Sequence, residues 1–373
     1  MAQRHVPVHQ NMVFKTCRDA RDIPRGDLDM SVCHNCGFVF NAAFDEGKVS
    51  YDEHYDNTQC HSGHFLEHMD KMAGKALKDI CKQSMTIVEV GCGKGDFLKK
   101  LVADTASYDS RGYGFDPTYV GPDRVMDGRV QFEKTFYGPD CTAIDADLVV
   151  SRHVIEHIKK PRYILNDVAS GLENAGNARI CFETPDVTWI FKNKVIWDFF
   201  YEHCSLFTPY SLSLAFDRCG LDAGEVETVF GDQYLWITSH KEQVSKTPAP
   251  PDMAAYLAMV EAFESHYDHY LNDLAAFVQK QKKHGPVALW GAGAKGMTLL
   301  NLIDPDCDLV DCVIDINPNK QGGFIAGTGH EIIGIDQIPA RGLNSAVVMN
   351  PNYMDEIAGT LQKQNTDIKL LTW

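Results

Sequence analysis

The sequence predicts an α/β protein built on two mostly parallel, helix-flanked sheets, with a small cysteine-bearing module ahead of them. Three observations predict it. Short β-branched runs alternate with helix-length stretches from Met85 onward, two of those runs end in glycine-rich turns, and the first fifty or so residues are polar and turn-rich. The chain has 373 residues and is 44% hydrophobic. Single cores stop growing well below that length, so two or three domains are expected.

The N-terminal part, residues 1–60, holds Cys33-His-Asn-Cys36 and then the strand-like run Gly37-Phe-Val-Phe40. It reads as a module without a core of its own. A CxxC turn points two thiolates at one tetrahedral ion, which makes Cys33 and Cys36 candidate ligands of a structural zinc. Such a site takes four ligands, and Cys17 and His9 are the candidates for the other two, with His5 and His34 nearby. The alternative is a pair of reduced cysteines in a module held by apolar contacts.

The central part, residues 61–245, opens with a helical pattern over His68–Gln83 and the buried-strand run Met85–Val90. Further strand-like runs follow at Gly112–Phe115, Asp147–Ser151 and Arg179–Phe182. Ser245-Lys-Thr-Pro-Ala-Pro-Pro-Asp252 is a linker, because its prolines continue neither a helix nor a central strand. In the last part, residues 246–373, Tyr256, Val260, Phe263, Tyr267, Tyr270, Leu274 and Phe277 recur at helical spacing and form one apolar stripe. A second α/β unit opens at Val287-Ala-Leu-Trp290.

Charge and composition exclude several functions. The formal charge is −16 and the sequence pI about 5.3, with no Lys/Arg-rich run, which argues against nucleic-acid partners and anionic membrane surfaces. No stretch of eighteen apolar residues occurs, and the N-terminus lacks the apolar core of a signal peptide, so a cytoplasmic protein with reduced cysteines is expected.

In Val88-Glu-Val-Gly-Cys-Gly-Lys-Gly-Asp-Phe-Leu98 a strand runs into Gly91, Gly93 and Gly95, and a helix begins near Asp96 and Phe97. Glycines let the backbone turn sharply and approach a ligand, and the helix start offers unpaired N–H groups. Asp116, followed by Pro117, lies 21 residues beyond Gly95 at the tip of the next strand, where a carboxylate accepts hydrogen bonds from ribose hydroxyls. Dinucleotide sites share that spacing. The acidic Glu89 and Asp96 around the turn disfavour a pyrophosphate and suit the zwitterionic methionine end of S-adenosylmethionine (SAM). Further on, Asp147-Leu-Val-Val-Ser-Arg-His-Val-Ile-Glu-His157 is a strand that breaks into a short helix. It places His153 and His157 where a SAM fold meets the adenine and the methyl group; a capping or solvated role for His157 stays open.

The order CxxCG, EVGCGKGDFL, DLVVSRHVIEH, Phe200-Tyr-Glu-His-Cys-Ser-Leu-Phe-Thr208 and a second glycine-rich unit resembles a three-domain methyltransferase family. That family includes sugar C-methyltransferases acting on nucleotide-linked deoxysugars. The resemblance implies a central class I SAM methyltransferase Rossmann-like domain, a second, C-terminal Rossmann-like α/β domain and a small-molecule acceptor. The family's base lies in a Tyr-His-Glu-His run, whose last two positions fall here on Glu202 and His203. His203 is accordingly the expected base and Glu202 its orienting partner, since methylating carbon requires prior removal of a proton. Phe200 and Tyr201 stand where the family has tyrosine and histidine, so Tyr201 is the candidate hydroxyl. With that departure, methylation at carbon, nitrogen or oxygen stays open.

The second turn, Gly291-Ala-Gly-Ala-Lys-Gly296, with Asp315 19 residues beyond Gly296, has the look of a dinucleotide site and keeps an NAD(P)-dependent oxidoreductase as the alternative. Asn317-Pro-Asn-Lys-Gln-Gly-Gly resembles the family's C-terminal domain, which shapes the substrate side. Lys295 and Lys320 read either as surface lysines or as contacts to a substrate phosphate. A scaffold that binds SAM without catalysis is the third reading, and the oligomeric state is left open.

Overall fold

The computed structural model describes residues 1–50, 61–80, 84–105, 109–141, 143–173, 177–241 and 249–373. Cys81–Gln83 of the expected first helix, Ser245–Pro248 of the expected linker, and the expected divisions at 60/61 and 245/246 lie outside them or at their edge.

The central sheet has eight strands in the order Glu225–Val229, Tyr234–His240, Arg179–Pro185, Leu148–Arg152, Thr86–Val90, Arg111–Phe115, Val130–Glu133, Arg124–Val125. The five from Arg179–Pro185 to Val130–Glu133 are parallel, and Tyr234–His240 is antiparallel to Arg179–Pro185. Thr86–Val90 pairs on both sides and is buried from Ile87 to Val90, which is why it reads as a β-branched run broken only by Glu89. Its two faces feed separate cores. Ile87 packs with Met69, Leu98 and Leu101, whereas Val88 and Val90 pack with Leu165, Val168 and Phe216. The chain winds outward from Thr86–Val90 to Val130–Glu133, then returns to start Leu148–Arg152 on the other side. The sheet therefore has its switch point between Thr86–Val90 and Leu148–Arg152, where α/β sheets hold ligands at the carboxyl ends of their strands.

A second, all-parallel sheet runs Ile332–Ile333, Cys312–Ile314, Val287–Trp290, Ser345–Val348, Lys369–Leu371, with its own switch point between Val287–Trp290 and Ser345–Val348. The N-terminal sheet is antiparallel, in the order Ala2–Pro7, Arg25–Val32, Val39–Asn41, Ser205–Leu206. Its last strand follows directly on Glu202-His-Cys204, so the first residues of the chain brace the segment expected to carry the base. Val13–Phe14 pairs with Phe324–Ile325 of the C-terminal part. Leu28, Met30 and Val39 bury together with Ile190, Phe199, Tyr256 and Phe263, so the N-terminal segment borrows its core from the rest of the chain.

The apolar stripe forms two helices, Met253–Ser265 and Tyr267–Lys282, where one was expected. At the break, Ser265 Oγ donates to the Ala262 carbonyl and His266 Nδ1 lies 2.8 Å from the same oxygen, satisfying an acceptor that a continuous helix would have paired with a backbone amide. The first helix starts earlier than expected, at Gly63, because Ser62 caps it: its Oγ accepts from the Phe65 amide. No helix among the described residues is long and apolar enough to cross a membrane.

Candidate active site

The first glycine turn joins Thr86–Val90 to the helix Asp96–Asp104. Gly91 and Gly95 have φ of 71° and 76°, and a Cβ at either would meet Val154 Cγ2 at 2.2 Å or the Phe132 ring at 2.3 Å. A Cβ at Gly93 would meet nothing within 4 Å, so the middle of the turn faces open space. The Gly93 amide donates to Asp116 Oδ2 at 2.8 Å, while Asp116 Oδ1 accepts from the Thr118 amide and hydroxyl. Asp116 thus ties the second strand's tip to the turn, with Pro117 half-buried behind it.

Glu89 is buried below the turn, and its Oε2 has no hydrogen-bond partner among the described residues. Burial pushes its carboxyl up to about 8, against the pull of Arg152 and the Leu98 amide. An orphaned carboxylate oxygen beside open backbone is the acceptor that the ammonium group of a methionine moiety requires, so these residues fit SAM. Phe97 is buried beneath the Arg152 guanidinium, 4.5 Å from its ring. Asp96 instead pairs with Lys99 on the helix's outer side, its side chain 41% exposed.

At the switch point the strand Leu148–Arg152 ends in His153, held at φ 54°, a conformation costly for a residue with a Cβ and common at functional sites. Its Nδ1 lies 3.4 Å from Glu156 Oε1, and its ring stands edge-on to Tyr234 at 4.6 Å. Behind it, Glu183 is fully buried and accepts from Arg152 Nε at 2.6 Å; its other oxygen lies 2.5 Å from His68 Nε2. Although burial alone would raise the Glu183 carboxyl, Arg152 and the two histidines hold it well below the usual range.

A cleft of about 300 Å³ opens between the carboxyl ends of the two large sheets. His153, Glu156, His157, Phe200 and His203 line its central side. The His157 and His203 rings meet edge to face at 4.8 Å, and His203 also packs on Phe200 at 3.9 Å. Burial first, then the proximity of His157, His153 and Lys295, lowers His203 well below its usual range and so favours the neutral imidazole.

The structure separates the other residues of that run. Glu202 turns away from the cleft: its carboxylate accepts from the Gln10 amide at 2.8 Å and lies 3.3 Å from His9 Nδ1. Its expected role as the orienting partner of His203 is corrected on that geometry: the chain turns at Tyr201-Glu202, where the His203 amide donates to the Phe200 carbonyl, and the carboxylate is held by Gln10 and His9 instead. Tyr201 is corrected likewise. It is fully buried against Phe44, with its hydroxyl accepting from the Asp45 amide, and it does not line the cleft.

The expected zinc set is not assembled either. Cys33 and Cys36 share a tight turn in which the Gly37 amide donates to the Cys33 carbonyl. Burial raises the Cys33 thiol, but the Asn35 and Cys36 amides outweigh it and hold it below its usual range. Cys17 sits instead against Gly329 and Arg21, and both ring nitrogens of His9 are engaged, by Glu202 and the Ser50 amide. Among the described residues these four do not converge, so Cys17 and His9 do not complete a zinc site.

The opposite wall of the cleft is the second glycine turn, Gly291 and Gly293–Gly296, with Asp315 and Lys320. Asp315 repeats the geometry of Asp116: Oδ2 accepts from the Ala292 amide at 2.7 Å and Oδ1 from the Asn317 amide at 2.8 Å. Neither lysine is a surface lysine. Lys295 pairs with Asp198 at 2.5 Å, and Lys320 is 6% exposed, donating to the Ala292 carbonyl at 3.1 Å. Sequence reasoning missed Glu183, Arg152, His68 and Tyr234. The one available signal was the charged Glu183 inside the apolar run Ile180-Cys-Phe-Glu-Thr184.

Comparison with known proteins places family matches on both halves. A family model described as a methyltransferase domain matches residues 60–226, and one described as a C-methyltransferase C-terminal domain matches residues 242–369. No curated protein matches the chain. Among solved structures, the chain is similar to the 1,6-didemethyltoxoflavin-N1-methyltransferase of Burkholderia thailandensis, at 12% identity over 47% of this chain and 78% of that one, TM-score 0.36. Human N-acetylserotonin methyltransferase matches at 13% identity over 48% and 56%, TM-score 0.37. Magnesium protoporphyrin IX methyltransferase from Synechocystis PCC 6803 matches at 12% over 48% and 84%, TM-score 0.36. The chain thus carries a methyltransferase domain that spans the glycine turn at Gly91–Gly95 and a C-methyltransferase C-terminal domain that spans the turn at Gly291–Gly296.

Proposed function

We propose that this methyltransferase methylates a carbon of a small-molecule acceptor held in the cleft between the two large sheets, with His203 as the base. The observation that carries the reading is the place of His203: its imidazole lines that cleft, in contact with His157. Bound SAM supplies an electrophilic methyl group. His203 takes the proton from the acceptor carbon, which keeps the electron pair; that pair forms the new C–C bond as the C–S bond breaks and sulfur leaves with its electrons. His157, against the face of His203, holds the ring in place. Tyr234 and Phe200 exclude water around it.

The far wall supports an acceptor with an anionic end, such as a nucleotide-linked sugar. Lys320 is a buried cation there, and the helix Ala294–Ile303 opens its N-terminus on the same wall. We further divide the chain functionally into a bracing module (1–60), the SAM domain (61–245) and an acceptor-closing part (246–373).

The test is a screen of carbonyl-bearing sugar nucleotides and related metabolites with methyl-labelled SAM, followed by His203→Ala on the best acceptor. The variant should lose at least ~100-fold in turnover, the usual contribution of a general base, with S-adenosylhomocysteine binding unchanged. Turnover retained within a few fold would overturn the assignment.

A further inference from the structure

Glu156, His157 and His203 each bring one ligand atom within 4.8 Å of the other two, at the central wall of the cleft. Glu156 is fully buried. Its Oε2 accepts from the Thr184 hydroxyl at 3.0 Å, whereas Oε1 has no hydrogen bond among the described residues and has His153 Nδ1 at 3.4 Å as an ion contact. A desolvated carboxylate oxygen without a hydrogen bond, beside two imidazoles, is a costly arrangement for a protein to keep. Two imidazoles and one carboxylate are also a ligand set of divalent transition ions, with open positions left for water or substrate.

We propose that Glu156, His157 and His203 bind one divalent transition-metal ion, zinc being the best fit, and that the ion inhibits methyl transfer by occupying His203. The proposal rests on the reading of His203 as the base. The ion and the acceptor's proton compete for one lone pair on that ring, so the metal-bound enzyme is the inactive form.

The geometry allows it with small movement. Ligand atoms around a tetrahedral zinc with bonds of ~2.1 Å lie ~3.4 Å apart, so the widest pair here closes by roughly 1.4 Å. His157 and His203 are half-buried at the cleft wall, while Thr184 fixes Glu156 as the anchor. The remaining coordination positions face the cleft. Magnesium and calcium are disfavoured, since two of the three ligands are imidazoles.

The full-length chain, treated with chelator and dialysed, is titrated with Co²⁺ as a spectroscopic probe and with Zn²⁺ by calorimetry. One ion per chain is expected, with visible Co²⁺ d–d bands and no thiolate charge-transfer band. Glu156→Gln and His157→Ala should each weaken binding at least ~10-fold, with circular dichroism and S-adenosylhomocysteine binding reporting an intact fold. Zn²⁺ should then inhibit methyl transfer in proportion to occupancy, and chelator should restore it.

The site is overturned if no ion binds, if both variants bind like the parent, or if the spectrum carries the charge-transfer signature of Cys33 and Cys36. Zn²⁺ bound through these residues without inhibition overturns the competition. Failure of the base reading is separate: it shows as an active His203→Ala enzyme, whatever the metal titration gives.

Discussion

Replacing Glu89 by glutamine separates the cost of burying this carboxyl from its use. In the unfolded chain the group ionises near 4.5, and in the folded protein burial moves it to about 8. The folded value is the higher one, so the stability contribution is full below about 4.5 and is lost as pH rises toward 8. That displacement corresponds to about 5 kcal/mol, an upper figure for a fully buried group. Glutamine mimics the protonated acid at every pH. Urea unfolding of parent and Glu89→Gln, from about pH 5 to about pH 9, should therefore show the parent losing several kcal/mol relative to the variant as pH rises. S-adenosylhomocysteine binding should move the opposite way. The ligand's ammonium supplies the missing partner of Oε2, so the parent releases a proton on binding and binds more tightly toward pH 8, whereas the variant binds weakly with little pH dependence. Parallel stability curves and parallel binding curves for the two proteins would refute the reasoning.

Two further outcomes follow from the same region. Glu183→Gln leaves Arg152 buried without its carboxylate and should destabilise the protein by about 3–5 kcal/mol, while Glu183→Gln combined with Arg152→Met should recover much of that loss; chemical denaturation of the three variants checks it, and additive losses would contradict the pairing. Gly95→Ala drives a Cβ into the Phe132 ring at φ 76° and should cost about 2 kcal/mol or more along with most cofactor affinity. Thermal unfolding with and without S-adenosylhomocysteine reads both effects, and a variant with unchanged melting and ligand shift would rule the clash out.

What the sequence revealed and what it hid divide along local and non-local lines. The strand Val287–Trp290 is buried throughout and appears as an unbroken apolar run, Thr86–Val90 differs from one only by Glu89, and a glycine turn follows each directly. The place of Asp116 at the tip of the second strand, beside the turn, was legible from spacing, because one βα unit sets the reach between them; its bond from the Gly93 amide was not. The direction of Glu202 was not. Adjacent residues in a short irregular segment carry no periodicity, and Glu202 turns toward His9 and Gln10, from nearly two hundred residues earlier in the chain. The same holds for Cys17, which the N-terminal segment carries to the C-terminal part at Gly329. The cluster of His68, Arg152 and Glu183 joins positions 115 and 31 residues apart, so only the tertiary fold brings it together.

The central claim is that the turn at Gly91–Gly95 with Asp116 holds SAM. Isothermal titration with S-adenosylhomocysteine, and separately with NAD and NADP, tests it most directly. The account predicts saturable one-to-one binding of S-adenosylhomocysteine that is lost in Asp116→Ala and kept in Asp315→Ala. Binding of NAD or NADP without S-adenosylhomocysteine, abolished by Asp315→Ala, would contradict it and move the chemistry to the turn at Gly291–Gly296.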